Sequence, residues 1–208
     1  MTLMTLFEAL SLVSLFLPGL KRWPEKNLHR FADRGDAYAQ WALGNAYAKG
    51  YDLGGIKQDY AEALKWYCRS ANQGNPFSQY AVGRLYDEGH GVKQDYAEAA
   101  KWFHKAAGQG RVPKVSQLEA LYNRNGTQEH FRRMVAGVES AQYALSVMYW
   151  KGLGVEKDFV QAFLWRALVA VWWKDDYNEM GDLIAHMTQE QIVDAKRLTA
   201  AWRPASRT

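Results

Sequence analysis

The chain holds one cysteine, Cys68, among 208 residues. An internal disulfide framework is therefore excluded, and so is a zinc site built from several thiolates. Proline is nearly as sparse, at five residues, which leaves long stretches open to unbroken helix. Charge of one sign is thinly spread. Lys and Arg number 26 against 22 Asp and Glu, for a net charge of +4, and Arg132-Arg133 is the only internal arginine pair. The tail from Lys196 to Arg207 is modestly basic. Such a distribution offers no nucleic-acid surface. The five histidines, His29, His90, His104, His130 and His186, fall in no H-E-x-x-H or similar ligand spacing. The loops "GHGV" and "GLGV" lack the lysine and hydroxyl residue of a phosphate loop, which removes nucleotide binding. The acids in Asp87-Glu88 and Asp175-Asp176 are adjacent in sequence. Neighbours on a helix diverge by about 100°, too far for a general acid–base couple. No catalytic set, metal or cofactor is expected, and the chain reads as a non-enzyme.

Aromatic side chains are abundant: nine Trp and twelve Tyr. Their positions recur. "KQDYAEALKWY" starts at Lys57 and "KQDYAEAAKWF" at Lys93, 36 residues later. The preceding halves read "AYAQWALGNAYAKG" from Ala37 and "PFSQYAVGRLYDEG" from Pro76. A third copy, "SAQYALSVMYWKGLGVEKDFVQAFLWRALVA", starts at Ser140, and Gln79 to Gln142 and Trp102 to Trp165 both span 63 residues. The 27 residues beyond one period predict a shortened unit in between, within "LEALYNRNGTQEHFRRMVAGVES".

Each unit reads as helix A, a glycine-rich loop and helix B. Ala39, Leu43 and Tyr47, repeated as Ser78, Val82 and Tyr86, form one stripe of helix A by the i, i+4, i+8 rule. Gly44 and Gly83 sit inside that helix, where glycine costs about 1 kcal/mol against alanine; close approach of an adjacent helix would offset the loss. On helix B, Trp66, Trp102 and Trp165 recur beside alanines, large knobs next to small holes. Asp59, Asp95 and Asp158 stand at its start as N-caps or first-turn acids. Cys68 aligns with His104 and Ala167. A position that accepts three such different side chains is not a catalytic slot, and both His104 and the loop residue His90 are expected in solvent. No single helix pair can bury such an aromatic stripe, but stacked pairs can, so the period signals a solenoid.

These residues carry a resemblance. "SQYAVGRLYDEGHGVKQDYAEAAKWFHKAAGQG", from Ser78, resembles the Sel-one-like repeat (SLR) family, a branch of the tetratricopeptide-like α/α solenoids. Val82 stands at a family leucine, and the likeness extends over about Ala37 to Trp173. It implies an all-α, right-handed superhelical solenoid of helix-turn-helix repeats. The expected organisation is an apolar N-terminal helix at 1–22 and an array at 23–173, followed by capping helices and a tail at 174–208. Within the array the units fall at about 37–74, 75–110, a shortened 111–138, and 139–173. "NLHRFADRGD" resembles the end of a preceding helix B and would cap the array. The resemblance also implies a non-enzymatic adaptor of a bacterial type that binds a partner protein on its concave face. The alternative is an immunity protein that neutralises a cognate secreted effector, for example a lipase.

Residues 1–20, "MTLMTLFEALSLVSLFLPGL", leave three readings open: a capping helix, a membrane-associating or signal-anchor segment, or a divergent signal peptide. Glu8 disfavours a spanning helix. If the segment does span, Lys21, Arg22 and Trp23 would hold the body in the cytoplasm. The location expected is thus cytoplasmic, at the inner membrane if the segment inserts, with the periplasm as the alternative. At the other end, Thr188 and Gln191 have capping-box spacing, and Ile192, Ala195, Leu198 and Trp202 make one apolar face. The chain is expected to be a monomer.

The partner surface is read from helix A positions that turn away from the core stripe. These are Trp41, Asn45 and Lys49; Tyr80, Arg84, Asp87 and Glu88; and Tyr143, Val147, Trp150 and Lys151. Mixed aromatic and charged types suit an interface, although Trp41, Tyr80 and Tyr143 could instead pack between units. Trp150 stands where the other units have Ala48 and Asp87, so the repeat itself does not require it. Trp172-Trp173 align with Gln109-Gly110 and either seal the last unit or form a hot spot.

Overall fold

The computed structural model of the protein describes residues 25–50, 56–109, 128–170 and 177–202. Their regular structure is entirely helical: α1 (Glu25–Asp33), α2 (Ala37–Lys49), α3 (Tyr60–Asn72), α4 (Pro76–Glu88), α5 (Tyr96–Ala107), α6 (Gln128–Lys151), α7 (Phe159–Ala170), α8 (Tyr177–Ala185) and α9 (Gln189–Ala201). The first unit is the pair α2–α3, the second α4–α5 and the third α6–α7. Together they form a helical repeat solenoid. None of the described helices is long and apolar enough to cross a membrane. The readings made of residues 1–20 and of Trp172-Trp173 lie outside the described residues.

Local chemistry sets the helix ends. Asp59 accepts from the Glu62 amide and Asp95 from the Glu98 amide, each across 2.9 Å. Asp158 accepts from the Val160 and Gln161 amides at 2.8 and 3.0 Å. A cap of this kind satisfies a donor that the first turn leaves open and is worth about 1 kcal/mol. The Thr188–Gln191 capping box of α9 is formed in both directions.

One joint recurs along the stack. Gln40 Nε2 donates to the Ala32 carbonyl at 2.9 Å, Gln79 Nε2 to Ala71 at 3.1 Å, and Gln142 Nε2 to Ala107 at 3.4 Å. A helix A glutamine thereby adds a side-chain hydrogen bond to a carbonyl in the last turn of the helix before it. By this measure α1 stands where the helix B of a preceding unit would. The loops repeat the register. A Cβ built on Gly91 would lie 2.5 Å from the Tyr60 carbonyl carbon, and one on Gly154 would lie 2.5 Å from the Ala97 amide nitrogen. Tyr60-Ala61 and Tyr96-Ala97 are the same two positions in successive units.

The third unit therefore sits directly on the second. Most of the shortened unit expected over 111–138 lies outside the described residues, and what is described of it, from residue 128 on, belongs to α6. Helix α6 runs unbroken through residue 138, and its later turns serve as the helix A of the third unit. Physically, the joint needs Gln142 against Ala107, not a fixed number of residues between them. Each doubling of loop length adds only about 0.6 kcal/mol of closure entropy.

Each repeat tryptophan packs back toward the unit before its own. Trp66 clusters with Ala32, Ala39 and Leu43; Trp102 with Ala63, Ala71 and Val82; Trp165 with Ala99, Ala107 and Leu145. The three are 6%, 9% and 7% exposed. Tyr47 and Tyr86 are half-buried at the edges of the same clusters. Beyond the third unit, Leu183 of α8 and Ala195 of α9 pack on Ala162 and Phe163 of α7.

Candidate protein-binding face

Helices α2 and α4 stand on either side of a groove of about 410 Å³, lined by Trp41, Asn45, Lys49, Tyr80, Arg84 and Glu88, with Tyr67, Phe77 and Leu85 beneath. Glycine shapes this groove. A Cβ on Gly44 would come within 2.6 Å of the Tyr67 ring, and one on Gly83 within 2.6 Å of Phe103. The missing side chains let helix B rings lie against helix A. Tyr67 Oη then donates to Asn45 Oδ1 at 3.0 Å, and Asn45 Nδ2 donates to the Trp41 carbonyl at 3.1 Å, which fixes the amide. Trp41 meets Phe77 at 5.4 Å between ring centroids, and Tyr80 meets Phe103 at 5.7 Å. Gly137 and Ser140 of α6 wall one end, and a Cβ on Gly137 would lie 2.9 Å from the Phe77 ring.

The groove is graded along its length. Its walled end is aromatic. Toward the other end Arg84 donates from Nε and Nη2 to Glu88 Oε1 at 3.0 and 2.6 Å, and His90 Nδ1 lies 3.0 Å from the second Glu88 oxygen. His90 also stacks on Tyr60 at 4.6 Å, so the loop of the second unit covers the start of helix B in the first. Burial pushes the Tyr80 hydroxyl above its ordinary pKa, and it stays a neutral donor at pH 7.

A second concavity, of about 450 Å³, is lined by Tyr143, Ser146, Val147, Trp150, Lys151, Arg166, Asp182 and Leu183. Tyr143, Val147 and Lys151 occupy the repeat positions of Tyr80, Arg84 and Glu88, and α8 supplies the facing wall that α4 supplies for α2. Trp150 is half-buried against Ala162, Phe163 and Leu183. Asp87 lines neither concavity. Its carbonyl accepts from Gln94 Nε2 at 2.7 Å, and partial burial raises its carboxyl pKa.

Two side chains of consequence were not legible as such. His104, expected in solvent, is half-buried, with Nε2 3.1 Å from Tyr149 Oη and its ring edge-on to Trp165 at 5.5 Å. Its neighbours belong to the third unit, and only direct stacking brings them there. Burial disfavours the imidazolium and lowers the His104 pKa. The folded chain thus binds this proton less readily than the unfolded chain does. The contribution is complete above the unfolded pKa of about 6.5 and is lost as pH falls toward the lower folded value. Urea midpoints measured from about pH 7.5 down to 5 should fall more steeply for the native chain than for His104→Ala; parallel curves would contradict this. The other residue is Arg166, found where the first two units place Tyr67 and Phe103. Cys68 remains a neutral thiol, since burial raises its pKa. No cluster of three His, Cys, Asp or Glu suited to a metal occurs among the described residues.

Stacked helix pairs with side chains of one repeat register lining solvent-open grooves define a helical repeat solenoid of the kind that holds other molecules on its surface. The family follows from the sequence: the Sel1 repeat matches residues 37–75, 76–111 and 139–165, and the chain belongs to the Sel1-repeat proteins over that stretch. The match omits residues 112–138, in keeping with the direct stacking of the third unit on the second. The crystal structure of a Sel1 repeat protein from Oxalobacter formigenes is similar at 27% identity and a TM-score of 0.54, over 72% of this chain and 92% of that one. The structure of c5321, a protective antigen of uropathogenic Escherichia coli with an SLR fold, is 27% identical over 85% of this chain and 47% of that one, with a TM-score of 0.38. Comparison with curated proteins gives no match. Sel1 repeat proteins generally mediate protein–protein interaction and are typically non-catalytic scaffolds.

Proposed function

We propose that this chain is a non-catalytic adaptor that grips a partner protein along the helix A side of its stack. One observation carries the reading: helix A positions that the repeat leaves open to change line two concavities at equivalent places in the register. An aromatic floor with charged rims matches the anatomy of recognition surfaces, in which a few desolvated aromatics supply affinity and rim charges supply rate and selectivity. The groove also has its shape before anything binds, since the Tyr67–Asn45–Trp41 hydrogen bonds fix its wall, and a preformed surface loses less entropy on association.

The test uses the full chain as bait in its native cell, followed by affinity measurement with the partner identified. Lys49→Ala/Arg84→Ala, two exposed substitutions, should weaken that partner about tenfold or more while moving the melting temperature by no more than about 2 °C. Unchanged affinity in a folded double variant would remove the groove between α2 and α4 from the interface.

A further inference from the structure

We propose that His104 is an acid-sensitive latch between the second and third units, and that its release loosens the α6 wall of the groove between α2 and α4. The use of that groove rests on the reading above; the latch does not.

One slot recurs at each joint. Three residues before the carbonyl that a helix A glutamine holds stand His29, Cys68 and His104. Each faces the Tyr and Trp of the unit stacked on it. His29 meets Tyr47 and Trp66 edge-on at 6.3 and 6.2 Å. Cys68 packs in one cluster with Tyr86 and Trp102. His104 meets Tyr149 and Trp165 edge-on at 5.8 and 5.5 Å. The slot thus holds a thiol between the first and second units and an imidazole between the second and third.

No carboxylate among the described residues pairs with an imidazolium at this place. On α5 itself, Lys101 pairs with Glu98 and Lys105 lies over the Trp102 ring. From α6 the facing group is the Tyr149 hydroxyl, 3.1 Å from Nε2. Burial, and after it Asp158 at the start of α7, raise the Tyr149 pKa, so no phenolate forms to balance the charge. From α7 comes the Trp165 ring, with Trp202 edge-on to it at 6.5 Å. Burial therefore works against the cation. Cys68 takes up no proton in acid, since burial raises its thiol pKa. The joint also carries the groove. Gln142 and Leu145 hold and pack it, and Gly137 and Ser140 of the same helix wall the groove.

Hydrogen exchange of the full chain at pH 7.5 and 5.5, corrected for intrinsic rates, reads each joint separately. An open-state pKa of about 6.5 allows acid to multiply opening by up to about tenfold at pH 5.5. The rise should appear at residues 137–150 and in α7, while α2 and α3 keep their protection. His104→Cys copies the first joint and should abolish it; His104→Gln, neutral at both pH values, serves should the thiol pack poorly. Cys68→His should carry the sensitivity to α3 and α4. Exchange in α6 and α7 that does not rise in acid overturns the latch. So does a rise that persists in the folded His104 variants, or one spread evenly over every helix. The measurement uses no partner, so the latch and the reading of Lys49 and Arg84 fail independently.

Discussion

Trp102→Ala should lower stability by about 3–5 kcal/mol in urea denaturation. The indole is 9% exposed, set among Ala63, Ala71, Val82 and Leu85, with the Lys105 ammonium 3.9 Å over the ring. Its neighbours come from α3 and α4, so removing it opens the joint between the first two units. Alanines on the far wall have no side chain with which to collapse into the void, which places the cost toward the upper part of the usual range. A typical domain is stable by only about 5–15 kcal/mol, so this substitution should bring the chain close to unfolding at physiological temperature. A loss under about 1 kcal/mol would mean that the joint is not packed as described.

Gly154→Ala should act as strongly on the next joint, by about 2–4 kcal/mol. Gly154 has φ +68°, in the left-handed region, and a methyl there would run into the backbone of Tyr96 and Ala97. No rotamer change relieves a clash with backbone, so the loop must lift off α5. The loss should be local: hydrogen exchange should speed up in α5 and α7 while α2 and α3 keep their protection. Gly181→Ala is the control. Gly181 lies in α8 with nothing within 4 Å of a built Cβ, and alanine there should be neutral or stabilising by up to about 1 kcal/mol. Equal effects at the two positions would contradict the close loop contact.

The repeat is legible because its joints use the same few residues each time. Gln79 and Gln142 hold the same carbonyl, Trp102 and Trp165 fill the same hollow, and Asp95 and Asp158 cap the same helix. Period and chemistry coincide there. They part company between Ala107 and Gln142, which meet although their separation differs from that of Ala71 and Gln79. Counting assumes that each stretch of chain fills a slot, whereas packing asks only which surfaces meet. The environment of His104 was hidden for the same reason, because Tyr149 and Trp165 reach it from the third unit, far along the sequence. Within the candidate site, helical register alone gathers Trp41, Asn45 and Lys49 on one face. The walls of each groove depend on tertiary placement, which no spacing reveals: α6 lies over Phe77 in one, and α8 faces Trp150 in the other. Asp87 and Trp150 share a repeat position, yet only Trp150 meets such a wall.

Because Gln142 reaches the Ala107 carbonyl and the Gly154 loop lies on Tyr96-Ala97, the third pair is held to the second by the same two fasteners that hold the second to the first. Strain introduced at one such fastener is therefore handed to the neighbouring pair, and the array yields joint by joint rather than as independent hairpins.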